Sequence, residues 1–311
     1  MRTVGTLVAL TACLACDASP EPGAGGVATF QAFSLTGDSL FTPPLRDSLR
    51  SAREGDLAAA RDAWQRDTAD VEAIVWLGRR TAYLGRYTEA VDIYDAGLRR
   101  HPDEPRLLRH RGHRYLTLRR LDAAIDDLAR AASLTAGRPD EVEQDGLPNA
   151  KNEPRSTLQT NIWYHLALAH YLRGEFAQAA IGFARCRELA GNDDMRVAAA
   201  YWEYLASRRA GSHDAAADVL GTITAEMDVI ENHSYHRLLG LYAGRVPLDS
   251  VLPGAMGSVD DATAAYGVAA WHLVEGRGAE AGAMLDRIVA APDQWPAFGY
   301  VAAEADLARS R

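Results

Sequence analysis

Residues 71–104 read VEAIVWLGRRTAYLGRYTEAVDIYDAGLRRHPDE, and residues 105–138 read PRLLRHRGHRYLTLRRLDAAIDDLARAASLTAGR. Laid one over the other, the two stretches match in kind. Leu77-Gly78 falls on Arg111-Gly112, Tyr87 on Leu121, Ala90 on Ala124, Tyr94 on Leu128 and Gly97-Leu98 on Ala131-Ala132. A period of about 34 residues, with small residues at fixed offsets and large apolar ones between them, predicts a repeated helix–turn–helix unit. The small residues let two helices approach, and the large ones fill the space between successive pairs.

Working outward, a third copy spans about 160–193, with Trp163, Leu166-Ala167, Gly174, Phe176, Ala179, Phe183 and Cys186. A weaker fourth lies near 197–230 (Gly211, Ala216, Leu220), and a degenerate pair near 262–291 (Gly276, Ala281, Leu285). Gly55, Ala60 and Trp64 read as the second half of a copy preceding the first.

Segment 71–104 resembles a tetratricopeptide repeat, on Ile74, Leu77-Gly78, Ala82-Tyr83, Gly85, Tyr87, Ala90, Tyr94, Gly97 and Pro102. The second copy keeps Leu108, Gly112, Tyr115, Ala124, Leu128 and Ala131, but has Arg119 at the turn glycine and Ala136 at the closing proline. The resemblance implies an all-α, right-handed superhelical solenoid of antiparallel helix pairs whose work is binding.

The chain has 311 residues, a formal charge of −9 and a 48% hydrophobic share. That acidic balance argues against a general nucleic-acid binder. Alternating apolar runs are scarce, so no sheet is expected. Lys151 is the single lysine, which leaves little room for Schiff-base chemistry.

Met1-Arg2 followed by the apolar run Val4 to Ala15 has the layout of an export signal and is too short to span a membrane. Leu10-Thr11-Ala12-Cys13 and Leu14-Ala15-Cys16 both resemble the bacterial lipobox, so either Cys13 or Cys16 is the expected lipidation site. The expected organisation is a lipoprotein signal at 1–16, a flexible tether at 17–40 and N-terminal repeats at 41–138. An acidic loop follows at 139–157, central repeats at 158–230, and degenerate repeats with a capping helix at 231–311. The tether reading rests on small, polar, Pro/Gly-rich composition.

In the resembling repeats the first helix of each pair lines a concave groove. Carrying those offsets over gives Glu72, Val75, Arg79, Ala82 and Tyr83 in the first copy. The second gives Arg106, Arg109, His113, Leu116 and Thr117, and the third gives Asn161, Tyr164, Leu168, Tyr171 and Leu172. The candidate partner-binding residues are therefore Arg79, Tyr83, Arg106, Arg109, His113, Asn161, Tyr164 and Tyr171, a basic centre beside an aromatic wall. Segment 99–120 holds eight Arg against Asp103 and Glu104. Guanidinium forks grip carboxylates through paired hydrogen bonds, so an acidic peptide or protein fits such a centre. The other reading is that these Arg form solvated faces paired with Asp122, Asp126 and Asp127. The acidic stretch 140–145 could itself cover the basic groove until a partner displaces it.

His110/His113 and His233/His236 have metal-compatible spacing without a completing ligand set. Neither a phosphate-binding loop nor a nucleophile elbow is present in the sequence. Cys186 sits at a small-residue repeat position and reads as packing. The expectation is a non-enzymatic, cofactor-free scaffold or adaptor in the bacterial cell envelope, holding another protein and tethered by its N-terminal lipid. The alternatives are a ligand- or glycan-binding component of an uptake or assembly system, and a structural subunit of an envelope complex.

Overall fold

The computed structural model describes residues 28–252, 254 and 257–310. The expected signal segment, with Cys13 and Cys16, lies outside them. The described chain opens with two antiparallel strands, β1 (Phe30–Phe33) and β2 (Ser39–Phe41). Helices follow: α1 (Asp47–Arg66), α2 (Val71–Tyr83), α3 (Tyr87–Arg100), α4 (Pro105–Thr117), α5 (Leu121–Thr135), α6 (Leu158–Arg173) and α7 (Phe176–Leu189). Then come α8 (Asp193–Arg209), α9 (His213–Gly221), α10 (His233–Tyr242), α11 (Val259–Val274), α12 (Gly278–Val289) and α13 (Phe298–Ser310). None of these helices is long and apolar enough to cross a membrane.

The array is an all-α, tetratricopeptide-like stack of helix pairs: α2/α3, α4/α5, α6/α7, α8/α9 and α11/α12. The first helix of a pair starts at a built cap. Asp70 accepts from Glu72 N, Glu104 from Arg106 N with Pro105 at the first position, and Asn192 from Met195 N. Thr157/Thr160 and Ser258/Asp261 form capping boxes. The turn inside each pair needs one residue in the left-handed region. Gly85 (φ 76°), Gly174 (83°), Gly211 (79°) and Gly276 (73°) supply it, and Arg119 does so at φ 60° without glycine's freedom.

The pairs close on small residues. A side-chain carbon on Gly78 would stand 2.3 Å from the Tyr94 ring, and one on Gly112 would stand 2.7 Å from Leu128. Both partners lie 16 positions on, in the second helix of the same pair. Charge follows the same spacing: Arg111 bonds Asp127 and Asp95, each at 2.7 Å, and Arg187 bonds Glu203 at 2.6 Å.

Three expectations need correction. The tether does not run to 40. Ala32 and Leu40 turn inward and are buried, and the Gln31 side-chain oxygen accepts from the backbone N of Tyr87 (2.9 Å) and Thr88 (3.2 Å), capping α3. Two inward apolar residues and one polar cap order a hairpin that composition alone reads as tether. The same hairpin is a two-stranded sheet where the scarcity of alternating runs predicts none, and Gly55, Ala60 and Trp64 all lie in the continuous helix α1.

The last helix is no polar-edged cap. Residues Gly299 to Asp306 of α13 are all buried, because the helix turns back and lies on α11, α12 and the inner helix α6. Gly299 makes the approach possible, since a side-chain carbon there would meet Ala262 O at 2.5 Å. The return explains why α6 is buried all round, 13 of its 16 residues, while the outer helix α7 buries 4 of 14.

Two buried carboxylates fasten α13. Glu304 (1% exposed) takes both prongs of Arg119 (3% exposed) at 2.6 and 2.9 Å, and its Oε2 also accepts from Leu35 N at 3.1 Å. Arg119 further donates to Trp295 O at 2.8 Å, and Trp295 Nε1 donates to Phe41 O at 2.7 Å. Asp306 accepts from Tyr266 Oη at 2.9 Å and pairs with Arg209 at 2.7 Å. Hairpin, second repeat and C-terminal helix are thereby held at one point.

Candidate functional site

The inner helices α2, α4 and α6 bring Arg79, Arg109, Asn161 and Tyr164 to one wall, as their repeat offsets predict. Two other segments close the groove they line. From one side, α13 presents Phe298 to His113 (ring centroids 5.4 Å), His165 (5.6 Å) and Tyr164 (6.4 Å). From the other, the acidic segment between α5 and α6 lies over the basic centre.

That segment is itself ordered by hydrogen bonds. Val142 bridges Thr157, Glu143 N donates to Ser156 O at 3.0 Å, and Asp140 accepts from Gln159 N at 3.0 Å. It delivers the Glu143 carboxylate to Arg109 at 3.1 Å, to Asn161 Nδ2 at 2.9 Å and to His110 Nε2 at 3.3 Å. Arg79 donates to Gln144 O at 2.8 Å, Arg80 donates to Gly146 O at 3.1 Å, and Gly146 packs so close to Tyr83 that a side-chain carbon there would stand 2.1 Å from its hydroxyl.

Between these covers lies a cavity of about 350 Å³. Arg79, Arg109, His113, Asn161, Tyr164 and His165 form its floor, and Tyr235, Met195, Glu231 and Asn232 its far side. Buried Asp194 positions that far side, its carboxylate accepting from the backbone N of Ile230, Glu231 and Asn232 and from Arg155 Nε. Burial alone would push the Asp194 pKa up. The three amides and Arg155 outweigh burial, and the carboxyl sits below its ordinary value.

The electrostatics are uneven. Burial first, and the positive charge of Arg109 or Arg114 second, hold His110, His113 and His165 far below the ordinary imidazole pKa. They are neutral at pH 7. The His113 and His165 rings lie 4.2 Å apart, tilted by 35°. Arg109 Nε and Asp145 Oδ2 are buried without a hydrogen-bond partner, and both residues line the cavity. The cavity lining thus carries one fixed positive group with an unused donor and one carboxylate with an unused acceptor.

Five of the eight expected groove residues, Arg79, Arg109, His113, Asn161 and Tyr164, thus share one cavity. Tyr83 stands beside it, covered by Gly146. Arg106 lies outside this cavity, bonded to Glu104 at 3.0 Å and Glu72 at 3.2 Å, and lines a neighbouring pocket with Arg79, Glu141 and Glu143. Tyr171 is not a wall residue at all. It is fully buried beneath α11 and α13, bonded to Tyr266 at 2.8 Å and Arg209 at 3.2 Å. Glu143, His165, Tyr235 and Phe298 complete the site. Of these, Glu143 lies in the acidic stretch visible in the sequence, whereas Tyr235 and Phe298 come from segments with no repeat offset. Cys186 is buried with Sγ 3.4 Å from Thr160 O, and burial pushes its thiol pKa up, so it is unreactive packing. Among the described residues no group of three or more His, Cys, Asp or Glu is placed to hold a metal ion.

No family model matches the chain, and no curated protein matches it. Solved structures with similar arrangements include three helical-repeat proteins. The crystal structure of MamA is 19% identical, covers 56% of this chain and 88% of its own, and has a TM-score of 0.42. YrrB, a TPR protein with an unusual peptide-binding site, is 15% identical over 77% of this chain and 95% of its own, with a TM-score of 0.43. A tetratricopeptide repeat protein from Parabacteroides merdae is 16% identical over 78% and 92%, with a TM-score of 0.47. At these values the helix-pair architecture rests on this chain's own repeats and packing.

Proposed function

We propose that this protein is a non-enzymatic binding module that takes an acidic segment of a partner protein into the Arg79–Arg109–Asn161 groove. The observation that carries this reading is Glu143. A carboxylate of the chain's own acidic loop occupies the Arg109/Asn161 pair, as a partner's carboxylate would. The internal carboxylate then competes with the external one, and the loop sets the threshold for binding. The setting is part of the same reading and rests on the sequence of residues 1–16: export, lipid attachment at Cys13 or Cys16, and work as an adaptor in the cell envelope.

The test is fluorescence anisotropy with labelled Asp/Glu-rich peptides, with free or amidated C-termini, against the unaltered protein, Glu143→Gln and Arg109→Ala. Removing the competing charge in Glu143→Gln is expected to tighten binding about tenfold, a change of roughly 1.4 kcal/mol. Arg109→Ala is expected to abolish binding, and added salt to weaken it. Equal affinities in all three proteins, with helix content intact, would sink the reading.

A second reading draws on the lining of the site. A cavity of about 350 Å³ walled by Tyr164, Tyr235 and Phe298 suits a small polar ligand or a sugar as well as a peptide end. Binding that ignores peptide charge but responds to Tyr235→Ala would favour it.

A further inference from the structure

The six phenylalanines divide unevenly. Phe176, Phe183 and Phe298 pack inside the helical array, whereas Phe30, Phe33 and Phe41 stand 45%, 62% and 45% exposed on one face of the β1–β2 hairpin. Phe30 meets Phe33 at 5.0 Å and Phe41 at 6.0 Å, so the three rings form one outward cluster. Regular strand alternation would put Phe30 on the inward side with Ala32. A register shift between Phe30 and Ala32 prevents this and leaves Phe30 outside, opposite Phe41. The hairpin is rigidly mounted: Gln31 caps α3, Leu35 N bonds Glu304, and Phe41 O bonds Trp295. An apolar cluster held outward on a fixed mount is a docking surface rather than a folding defect.

We infer that Phe30, Phe33 and Phe41 dip into the headgroup region of a lipid bilayer and hold the repeat array against the membrane surface. The position of the cluster argues for lipid as the occupant. Ala28 follows Cys16 by 12 positions, a span of up to about 40 Å if extended, so a chain acylated at Cys16 keeps the hairpin within reach of the bilayer. A lipid anchor fixes one point of the chain, and a second apolar contact adds membrane affinity and sets how the array lies on the surface. The inference draws on the lipid-anchor reading of Cys13 and Cys16, but the experiment does not depend on it.

The full chain with Cys13→Ser and Cys16→Ser cannot be acylated. Phe33→Cys in that background takes an environment-sensitive nitrobenzoxadiazole probe at that position only, because Cys186 is buried. The Phe30→Ser/Phe41→Ser variant, which keeps the apolar run Val4 to Ala15, separates the hairpin's contribution from that run's. A probe at Ile181→Cys, 70% exposed on α7, serves as the remote control. With phosphatidylethanolamine/phosphatidylglycerol vesicles, emission at position 33 is expected to rise several-fold and be quenched by headgroup-level nitroxide lipid, while position 181 stays unchanged. Adding Phe30→Ser and Phe41→Ser is expected to raise the lipid needed about tenfold. A probe at 33 that stays as dim as the one at 181 overturns the inference. So does emission that rises with protein concentration without vesicles, which assigns the cluster to a second copy. Labelled-palmitate incorporation into the unaltered chain tests the anchor separately, and its failure leaves the vesicle result standing.

Discussion

The repeats at 71–138 and the C-terminal stretch at 259–310 are built of the same kind of helix and held by different kinds of contact. In the first, a small residue faces its own pair-mate 16 positions on, Gly78 to Tyr94 and Gly112 to Leu128, and ion pairs repeat the interval. In the second, the close approaches leave the pair: Gly267 receives Leu238 of α10, and Gly299 receives the backbone of α11. Its decisive ion pair, Arg119 with Glu304, spans 185 positions. Periodic contacts build a groove, and aperiodic ones decide what fills it.

The strongest way to break this contrast is Glu304→Ala. It leaves Arg119 buried without its counter-charge, and a loss of about 3–5 kcal/mol is expected. Thermal or urea unfolding measures it, and a loss below about 1 kcal/mol would mean that α13 is not fastened there.

Next in size is Arg119→Gly, where pattern and structure predict opposite signs. The repeat pattern, which has glycine at this turn, predicts a gain of about 1 kcal/mol from relieving the positive φ. The structure predicts a net loss of roughly 2–4 kcal/mol, because Glu304 is stranded in the interior. The sign of the change in denaturation midpoint decides between them.

A smaller effect separates the regions by kind. Gly78→Ala forces a methyl into the buried Tyr94 ring, and a cost of about 1–3 kcal/mol is expected from overpacking inside one pair. Hydrogen exchange should then speed up in α2 and α3 while α13 keeps its protection. Equal loosening of α13 would show that the two contact types are not separable.

The smallest effect sits where the regions meet. His110, His113 and His165 are held neutral, among Arg79, Arg109, Arg114 and Glu143, with His113 and His165 at the Phe298 contact and His110 stacked on Tyr94. Their folded pKa values lie below the unfolded value of about 6.5, so the unfolded chain binds protons first as pH falls. Stability is full above that value and lost below it. Lowering pH from 7 to 6 costs about 0.7 kcal/mol per imidazole. Melting curves over that range measure it, and His165→Phe should flatten the slope by one third.

What was legible in the chain follows the same division. The helix pairs, their turns and five groove residues could be read because each recurs at a fixed offset. The hairpin could not: its order rests on Ala32, Leu40 and one Gln31 cap inside a composition typical of a tether. Nor could the covering of the groove, since acidic residues at 140–145 reveal a charge and not a destination. Arg119 was visible as a departure from the repeat, an arginine where glycine belongs. Its cause lay in Glu304, and no interval in the sequence connects the two.

The Arg119–Glu304–Leu35 junction also bears on how the molecule folds. An open repeat array is nearly one-dimensional: it can nucleate anywhere, fray from its ends and lose one repeat at a time. Here Leu35, near the start of the described residues, and Glu304, near their end, meet the turn of the second repeat. Joining Arg119 to Glu304 costs chain entropy of about 4–5 kcal/mol before any bond repays it. The cost slows the last step of folding, and once it is met neither end is free to fray. A lesion at residue 304 is then felt at residue 35, and the chain melts as one cooperative body rather than as a row of parts.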